Sequence, residues 1–337
     1  MPVIQAGMGV QVATAPLAAA VAHSGGIGCI SSVGLGSLEG SLSDYLNVSR
    51  RRLAEEIQAA RRMAPEGVLA VNVMVALSNY DEIVGVCVAG KVDMIISGAG
   101  LPISLPGLTG ESPVCLVPVI SSGRAMNVIL KTWHRRYHRI PDAVIVEGPL
   151  CGGHLGFSVE QIAHPETVTI SRLLAEVRAV LAPFEAAYGR RVPVLGAEKL
   201  STPDDVRAML ALGFDGVQVG TRFICTNESG IHPASKQVYV NATERDIVVI
   251  DSPLGLPVRV LRSPLVERLL RGEKIPFRCP FQCLRACDAR AARFCIANAL
   301  TATIFGPTDT ALFMTGCGIG NVNDLIPAAS FIEALKD

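Results

Sequence analysis

The stretch PVLGAEKLSTPDDVRAMLALGFDGVQVG, from Pro193 to Gly220, decides the fold of this chain. It begins with a short apolar run over Pro193–Gly196, continues as a helical pattern over Pro203–Leu212, and ends in a second apolar run over Gly216–Gly220. Short β-forming runs that alternate with helical patterns are typical of βα units with a parallel sheet. These two runs are the seventh and eighth of their kind in the chain.

Six similar runs precede this stretch: Val3–Ala6, Gly28–Ser32, Val68–Met74, Asp93–Ser97, Val114–Ile120 and Ala143–Gly148. Helical patterns separate them at Ala15–His23, Ser49–Met63, Tyr80–Ala89 and Arg124–His134, and another follows at Thr169–Tyr188. Eight parallel strands in about 220 residues predict an α/β fold, a closed (β/α)8 TIM barrel. A doubly wound open sheet is the alternative, but no GxGxxG motif follows any of the strands.

The remaining third of the chain lacks this alternation. It contains one β-like run, Asp246–Asp251, and several helical stretches. We therefore predict two regions. Residues 1–225 form the barrel core that binds a cofactor, and residues 226–337 form a smaller appended helical region that caps the barrel and contacts the substrate.

The composition excludes several classes of protein. Half of the 337 residues are hydrophobic, which is enough for a large core, and Lys+Arg and Asp+Glu number 30 each, so no electrostatic footprint for nucleic acid is present. No segment reaches the roughly 18 uninterrupted apolar residues of a membrane span, and the N-terminus does not resemble a signal peptide. The ten cysteines are too dilute for a disulfide scaffold and predict reduced thiols in the cytoplasm.

The segment VEGPLCGGHLGF, from Val146 to Phe157, is the first candidate for chemistry. It follows the sixth strand, and barrels of this kind place their reactive groups at the C-terminal ends of strands. Gly152 and Gly153 let the backbone approach a ligand closely, and the imidazole of His154 can exchange a proton near neutral pH. We predict that His154 is catalytic, although an ordinary turn with a hydrogen-bonded histidine would have the same sequence.

The seventh and eighth strands predict a phosphate site. The loops after these strands commonly hold a phosphate through backbone N–H groups. Gly196 and Ala197 end the seventh strand, and Gly220 and Thr221 end the eighth. Gln218 lies within the eighth strand, where its side chain points inward or at a ligand. An ordinary strand end and turn is the alternative interpretation.

Two other strands offer weaker candidates. Gly7 and Met8 follow the first strand, where a close backbone approach and a soft side chain suit a flat ring, but core packing explains them equally well. Asn72 is the one polar residue in the third strand, so it needs a partner from the protein or from a ligand.

Four cysteines, Cys279, Cys283, Cys287 and Cys295, lie close together in the sequence. Spacings of four residues predict that the first three share one helical face. The paired CxxC knuckles of structural zinc sites are absent. Small buried hydrophobic side chains are therefore the preferred interpretation, and a metal site is the alternative.

Several motifs together resemble the FMN-dependent nitronate monooxygenases, formerly called 2-nitropropane dioxygenases. They are PVIQAGMGV, NVMV, DMIISGAGLP, VEGPLCGGHLGF, GFDGVQVGTRFICTNES and CPFQCLRACD. The resemblance covers nearly the whole chain in the right order. FMN-dependent enoyl-ACP reductases and some NADH:quinone reductases look much the same, so these motifs identify the superfamily and not the substrate.

The resemblance implies a (β/α)8 barrel that binds FMN at the C-terminal ends of its strands. It implies His154 as the active-site histidine, and it implies Glu147 as a cofactor contact at a position where many members have glutamine. The other implied cofactor contacts are Ala6, Gly7, Met8, Asn72, Gly152, Gly153, Gln218, Val219, Gly220 and Thr221.

One loop departs from the family pattern. After the seventh strand the family usually has Ala-Gly-Gly-Ile, whose glycine amides face the FMN phosphate, whereas this chain has Gly196, Ala197, Glu198 and Lys199. Ala197 can still donate its N–H, and Lys199 can supply a positive charge. A glutamate in this loop would repel a phosphate if it pointed inward.

The resemblance favours an FMN oxidoreductase, most simply a nitronate monooxygenase that oxidises alkyl nitronates with O2. His154 would then deprotonate a nitroalkane or orient the nitronate. An NAD(P)H-dependent enoyl-ACP reductase or an NADH:quinone reductase is the enzymatic alternative. A flavin-free barrel that serves as a binding or partner subunit is the alternative from another class. The large apolar fraction makes a homodimer reasonable.

Overall fold

The structure is a computed structural model that describes residues 3–36, 45–279, 283–306 and 308–336. Eight parallel strands close into a barrel, because the last strand pairs with the first: Val3 lies opposite Val217 and Gln5 opposite Val219. The barrel strands are β1 (Val3–Gln5), β2 (Ile27–Ser31), β3 (Val68–Met74), β4 (Met94–Gly98), β5 (Cys115–Ile120), β6 (Val144–Glu147), β8 (Val194–Ala197) and β9 (Gly216–Val219). The predicted (β/α)8 barrel is confirmed.

Helices cover the outside of the barrel between these strands. They are α1 (Ala15–His23), α2 (Tyr45–Met63), α3 (Tyr80–Ala89), α4 (Leu105–Thr109), α5 (Gly123–Tyr137), α6 (Val159–Ala163), α7 (Ile170–Tyr188), α8 (Pro203–Ala211) and α9 (Thr221–Ile224). The predicted helices are present with shifted ends. The largest shift is at α2, which begins at Tyr45 and not near Ser49 because Tyr45 and Val48 are buried and extend its packed face.

A short sheet joins the barrel to the C-terminal third. Strands β10 (Ile247–Asp251) and β11 (Pro257–Leu261) form an antiparallel hairpin, and β11 also pairs with β7, the two-residue strand Gly153–His154. The predicted β-like run Asp246–Asp251 is present as β10, and β11 is a second strand that the sequence analysis did not predict. Pairing with β10 satisfies the backbone hydrogen bonds of β11.

Four further helices complete the C-terminal third: α10 (Pro233–Val240), α11 (Pro264–Leu270), α12 (Ile296–Phe305) and α13 (Ala328–Glu333). Two apolar clusters outside the barrel core combine residues of both parts of the chain. In one, Leu77 packs with the hairpin and α11; in the other, Val12 packs with Tyr239 and Phe313. The division of the chain at residue 225 therefore stays a prediction. No helix among the described residues is long and apolar enough to cross a membrane.

Candidate functional site

A cavity of about 440 Å³ lies at the C-terminal ends of the barrel strands. This volume lies within the range of small-molecule and cofactor sites, roughly 300–1,000 Å³. The loops that follow the barrel strands form one side of the cavity, and residues between 256 and 318 form the other. The site is therefore located where the strand topology predicts it.

Most of the predicted site residues line this one cavity. They are Ala6, Gly7, Met8, Asn72, Glu147, Gly152, Gly153, His154, Ala197, Gln218, Gly220 and Thr221. Two predicted residues do not line it. A Cβ placed on Gly196 would meet Met209 and Phe214 on the helical side of the barrel, and the side chain of Val219 is fully buried in the core.

His154 is held by the edge strand β7. Gly153 precedes it with a φ of +72°, a left-handed conformation that favours glycine, and His154 pairs with Val258 of β11. Its Nε2 lies 2.7 Å from the hydroxyl of Ser252, which also accepts the Leu254 N–H at 3.1 Å. The Ser252 hydroxyl can donate its proton to Nε2, which would place the ring proton on Nδ1.

Burial lowers the pKa of His154 to about 4. The imidazole is therefore neutral at neutral pH and able both to donate and to accept a hydrogen bond. Ser252 was not identified from the sequence, because it belongs to the turn of a hairpin whose second strand was missed.

Two polar side chains that line the cavity accept no hydrogen bond from the described residues. Glu147 ends β6 beside Ala197, and burial raises its pKa to about 7. The Oε1 atom of Gln218 on β9 is buried and accepts no hydrogen bond from the described residues. A buried acceptor without a donor is costly, so Gln218 is suited to a ligand with an N–H or O–H group.

The backbone around these groups is closely packed. A Cβ on Gly7 would overlap the side chain of Asn72, and a Cβ on Gly152 would lie 2.5–2.7 Å from the backbone of Thr315 and Gly316. A Cβ on Gly220, by contrast, would have no heavy atom nearer than 3.7 Å. Gly7 and Gly152 thus allow neighbouring segments to pack closely, whereas the space beside Gly220 is open. This arrangement and the orphaned acceptor of Gln218 fit the ring and sugar chain of a flavin.

The loop after β8 carries both a negative and a positive side chain. Lys199 has a φ of +52°, and its Nζ lies 3.8 Å from Glu244 Oε1. Glu198 Oε1 accepts the N–H of Leu150 at 2.9 Å. Burial raises the pKa of Glu198, while the Leu150 N–H, Arg259 and Lys199 act to lower it.

The side of the cavity that faces His154 and the barrel loops is apolar. Leu256, Leu284, Ile296, Leu300, Leu312 and Met314 line it, and we call these six residues the apolar wall. The sequence analysis did not find them, because residues from the hairpin, from α12 and from two loops meet only in the folded chain. The helical pattern of α12 marks a buried face without showing what it faces.

Charged groups are few around this cavity. Lys199 is the only lysine or arginine among the described residues that line it. The two lining carboxyl groups are those of Glu147 and Glu198. The cavity therefore favours a substrate that is neutral and apolar where it meets the wall.

The predicted helical face of cysteines is wrong. Cys283 and Cys287 lie in a segment of turns, and Cys295 precedes α12. Burial raises the pKa of Cys283 to about 12, so its thiol is protonated. Within the described ranges, no three metal-ligating side chains are arranged to hold a metal ion.

Comparison with known proteins agrees with this geometry. The nitronate monooxygenase family model matches residues 1–337. A Mycobacterium tuberculosis protein named (3aS,4S,5R,7aS)-5-hydroxy-7a-methyl-1-oxo-octahydro-1H-indene-4-carboxyl-CoA dehydrogenase is 29% identical over 81% of this chain, and the match covers 66% of its own length. Its Rhodococcus jostii counterpart is 28% identical over 80% of this chain and 64% of its own length. The chain thus spans slightly less than two thirds of these relatives.

Other similar proteins bear different names. A "Probable nitronate monooxygenase" of Staphylococcus haemolyticus is 25% identical over 81% of this chain and 78% of its own. The structure of FabK from Thermotoga maritima superposes with a TM-score of 0.75 at 28% identity, covering 99% of this chain and 91% of FabK. Nitroalkane oxidase from Streptomyces ansochromogenes, at 20% identity and a TM-score of 0.74 over 99% and 94% of the two chains, shares the fold.

Proposed function

The chain belongs to the nitronate monooxygenase family, and from that premise we propose that it is an FMN-dependent oxidoreductase that acts on bulky, apolar acyl thioesters. FMN, when bound, supplies the hydride acceptor or donor for a carbon–carbon bond next to the thioester. The protein supplies orientation, exclusion of water and control of protons.

The apolar wall carries this proposal. Six large apolar side chains line the cavity opposite the barrel loops, and each methylene group of an acyl chain buried against them contributes about 0.8 kcal/mol. A small alkyl nitronate would leave most of this surface without contact. A nitronate is also an anion, and Lys199, the one lining cation in the described chain, lies in the loop after β8, where Glu244 is 3.8 Å from its ammonium group. The reacting thioester group is neutral and is not subject to this electrostatic mismatch, whereas the phosphates of a CoA carrier would have to lie outside the cavity.

The residues around the substrate have distinct roles in this proposal. His154, neutral and fixed by Ser252, donates or accepts a hydrogen bond at the thioester carbonyl or at the carbon beside it. Asn72, Gln218 and Glu147 hold the polar edges of the cofactor. Among the relatives, the dehydrogenase of Mycobacterium tuberculosis is named for a bicyclic carboxyl-CoA substrate, which agrees with a wide apolar cavity.

Oxidation of alkyl nitronates is the second candidate. The family match over the whole chain and the relative in Staphylococcus haemolyticus favour it. His154 would then accept the proton of a nitroalkane or hydrogen-bond the nitronate oxygens.

Anaerobic mixing experiments distinguish the two candidates. FMN-loaded protein is mixed with an alicyclic acyl-CoA, with NADH plus an enoyl-CoA, with NADH alone, or with a primary alkyl nitronate, while the visible absorption of the flavin is followed. Thioester-dependent bleaching or reoxidation supports the proposal. Bleaching by the nitronate and by no thioester would replace it with the second candidate. Bleaching by NADH alone, followed by reoxidation on addition of a quinone but not of an enoyl-CoA, would indicate a quinone reductase.

A further inference from the structure

The loops after β8 and β9 form the end of the cavity where barrels of this kind hold a phosphate. Glu198, Lys199 and Thr221 line this end. The backbone N–H groups of Lys199 and Leu200 donate to no other residue in the described part of the chain. These N–H groups are available to bind an anion at this end of the cavity.

Glu198 places a carboxyl group at the same end of the cavity. Its Oε1 accepts the Leu150 N–H at 2.9 Å, so the side chain is held in place and does not extend into solvent. A Cβ at position 148 would overlap this carboxyl group, and Gly148 therefore leaves the space that it occupies. The carboxyl group is therefore part of the packed structure.

The neighbouring cations have other partners. The side chain of Lys199 is 45% exposed, and its ammonium group lies 3.8 Å from Glu244 Oε1. The buried guanidinium of Arg259 donates to the carbonyl of Cys151 and does not line the cavity. Neither cation is free to pair with an anion in the cavity alone, so neither fully offsets the repulsion between Glu198 and that anion.

We infer that Glu198 weakens the binding of the cofactor's phosphate, so that this chain binds FMN scarcely more tightly than riboflavin. Riboflavin has the same ring and sugar chain but no phosphate. The inference rests on the proposed function, because it requires a flavin in the cavity. Like charges in a half-buried site repel each other more strongly than in water, and the repulsion acts on the phosphate alone.

Titration of flavin-free protein with each flavin at pH 8, followed by flavin fluorescence, tests the inference. For the natural sequence we expect the two Kd values to agree within about threefold. Glu198→Gln is the matched variant, since its amide oxygen can still accept the Leu150 N–H. We expect it to tighten FMN binding at least about tenfold and to change riboflavin binding by less than about twofold.

Three results would overturn the inference. One is a natural protein that binds FMN more than about tenfold tighter than riboflavin, and another is a Glu198→Gln variant with unchanged FMN affinity; both leave the flavin-dependent function intact. If neither flavin binds either protein, the proposed function fails as well. The comparison of the two flavins needs no variant, and thermal unfolding verifies that Glu198→Gln is folded.

Discussion

The two sides of the cavity are lined by different types of residue. The barrel side presents glycines and the polar groups of Asn72, Glu147 and Gln218, three residues that lie on barrel strands. The opposite side presents the apolar wall, whose residues come from the hairpin, α12 and two loops. If the proposed function holds, we expect the barrel to position the chemistry and the C-terminal third to select the substrate. His154 is the exception, because a barrel loop carries it while the hairpin holds it.

The largest effect should come from His154, where the two sides meet. We expect His154→Gln to slow substrate-dependent flavin reduction at least about 100-fold, because the proton-transferring group is lost. FMN affinity should stay within about threefold. Stopped-flow reduction and flavin titration measure the two quantities. An unchanged reduction rate would remove His154 from the chemistry.

The pH dependence of protein stability tests the burial of Glu147 on the polar side of the cavity. Its pKa of about 7 in the folded protein exceeds the value of 4.5 for a free carboxyl group. The folded state therefore holds the proton more tightly, and stability is lost as pH rises from about 4.5 to above 7. Glu147→Gln should raise the free energy of unfolding at pH 8 by up to about 3 kcal/mol and change it little at pH 4.5. Urea denaturation at both pH values measures this, and equal effects at both would contradict it.

A larger side chain on α12 would reduce the width of the cavity at the apolar wall. Leu300→Trp on α12 should raise KM for a bulky acyl-CoA about tenfold and leave a short-chain acyl-CoA nearly unchanged, because the larger ring fills the cavity. Phe305→Trp is the matched control, since Phe305 is 69% exposed on the same helix. If both variants behaved alike, the wall would not contact the substrate.

Ser252 should show the smallest effect. Ser252→Ala removes the hydroxyl beside His154 Nε2, and we expect about a fivefold lower rate of flavin reduction, in line with about 1 kcal/mol for one hydrogen bond. Ser252→Thr keeps the hydroxyl and should restore most of the rate. Failure of the threonine variant to restore it would mean that Ser252 acts only through packing.

The same division explains what the sequence could reveal. The barrel side was predictable because its residues lie within or directly after strands that show their own apolar runs: Gln218 lies within β9, and Gly152 follows β6. The C-terminal side was not, because its residues come from separate segments that share no sequence period. The hairpin could have been found: alternating Val258 and Val260 follow a turn that contains Gly255, and this is a recognised hairpin pattern. Gly196 and Val219 do not line the cavity because successive residues of a strand point to opposite faces, and these two point away from it. Neither the motifs nor the resemblance describes this alternation.

The pairing of β7 with β11 has a consequence for biosynthesis. All eight barrel strands are translated before Ser252 and β11, so a nascent chain that has already formed its barrel still lacks the partner that holds His154. The enzyme would become competent only after the hairpin has been synthesised and docked. A graft that exchanges this hairpin between relatives would therefore change the surroundings of His154 together with Leu256 of the apolar wall.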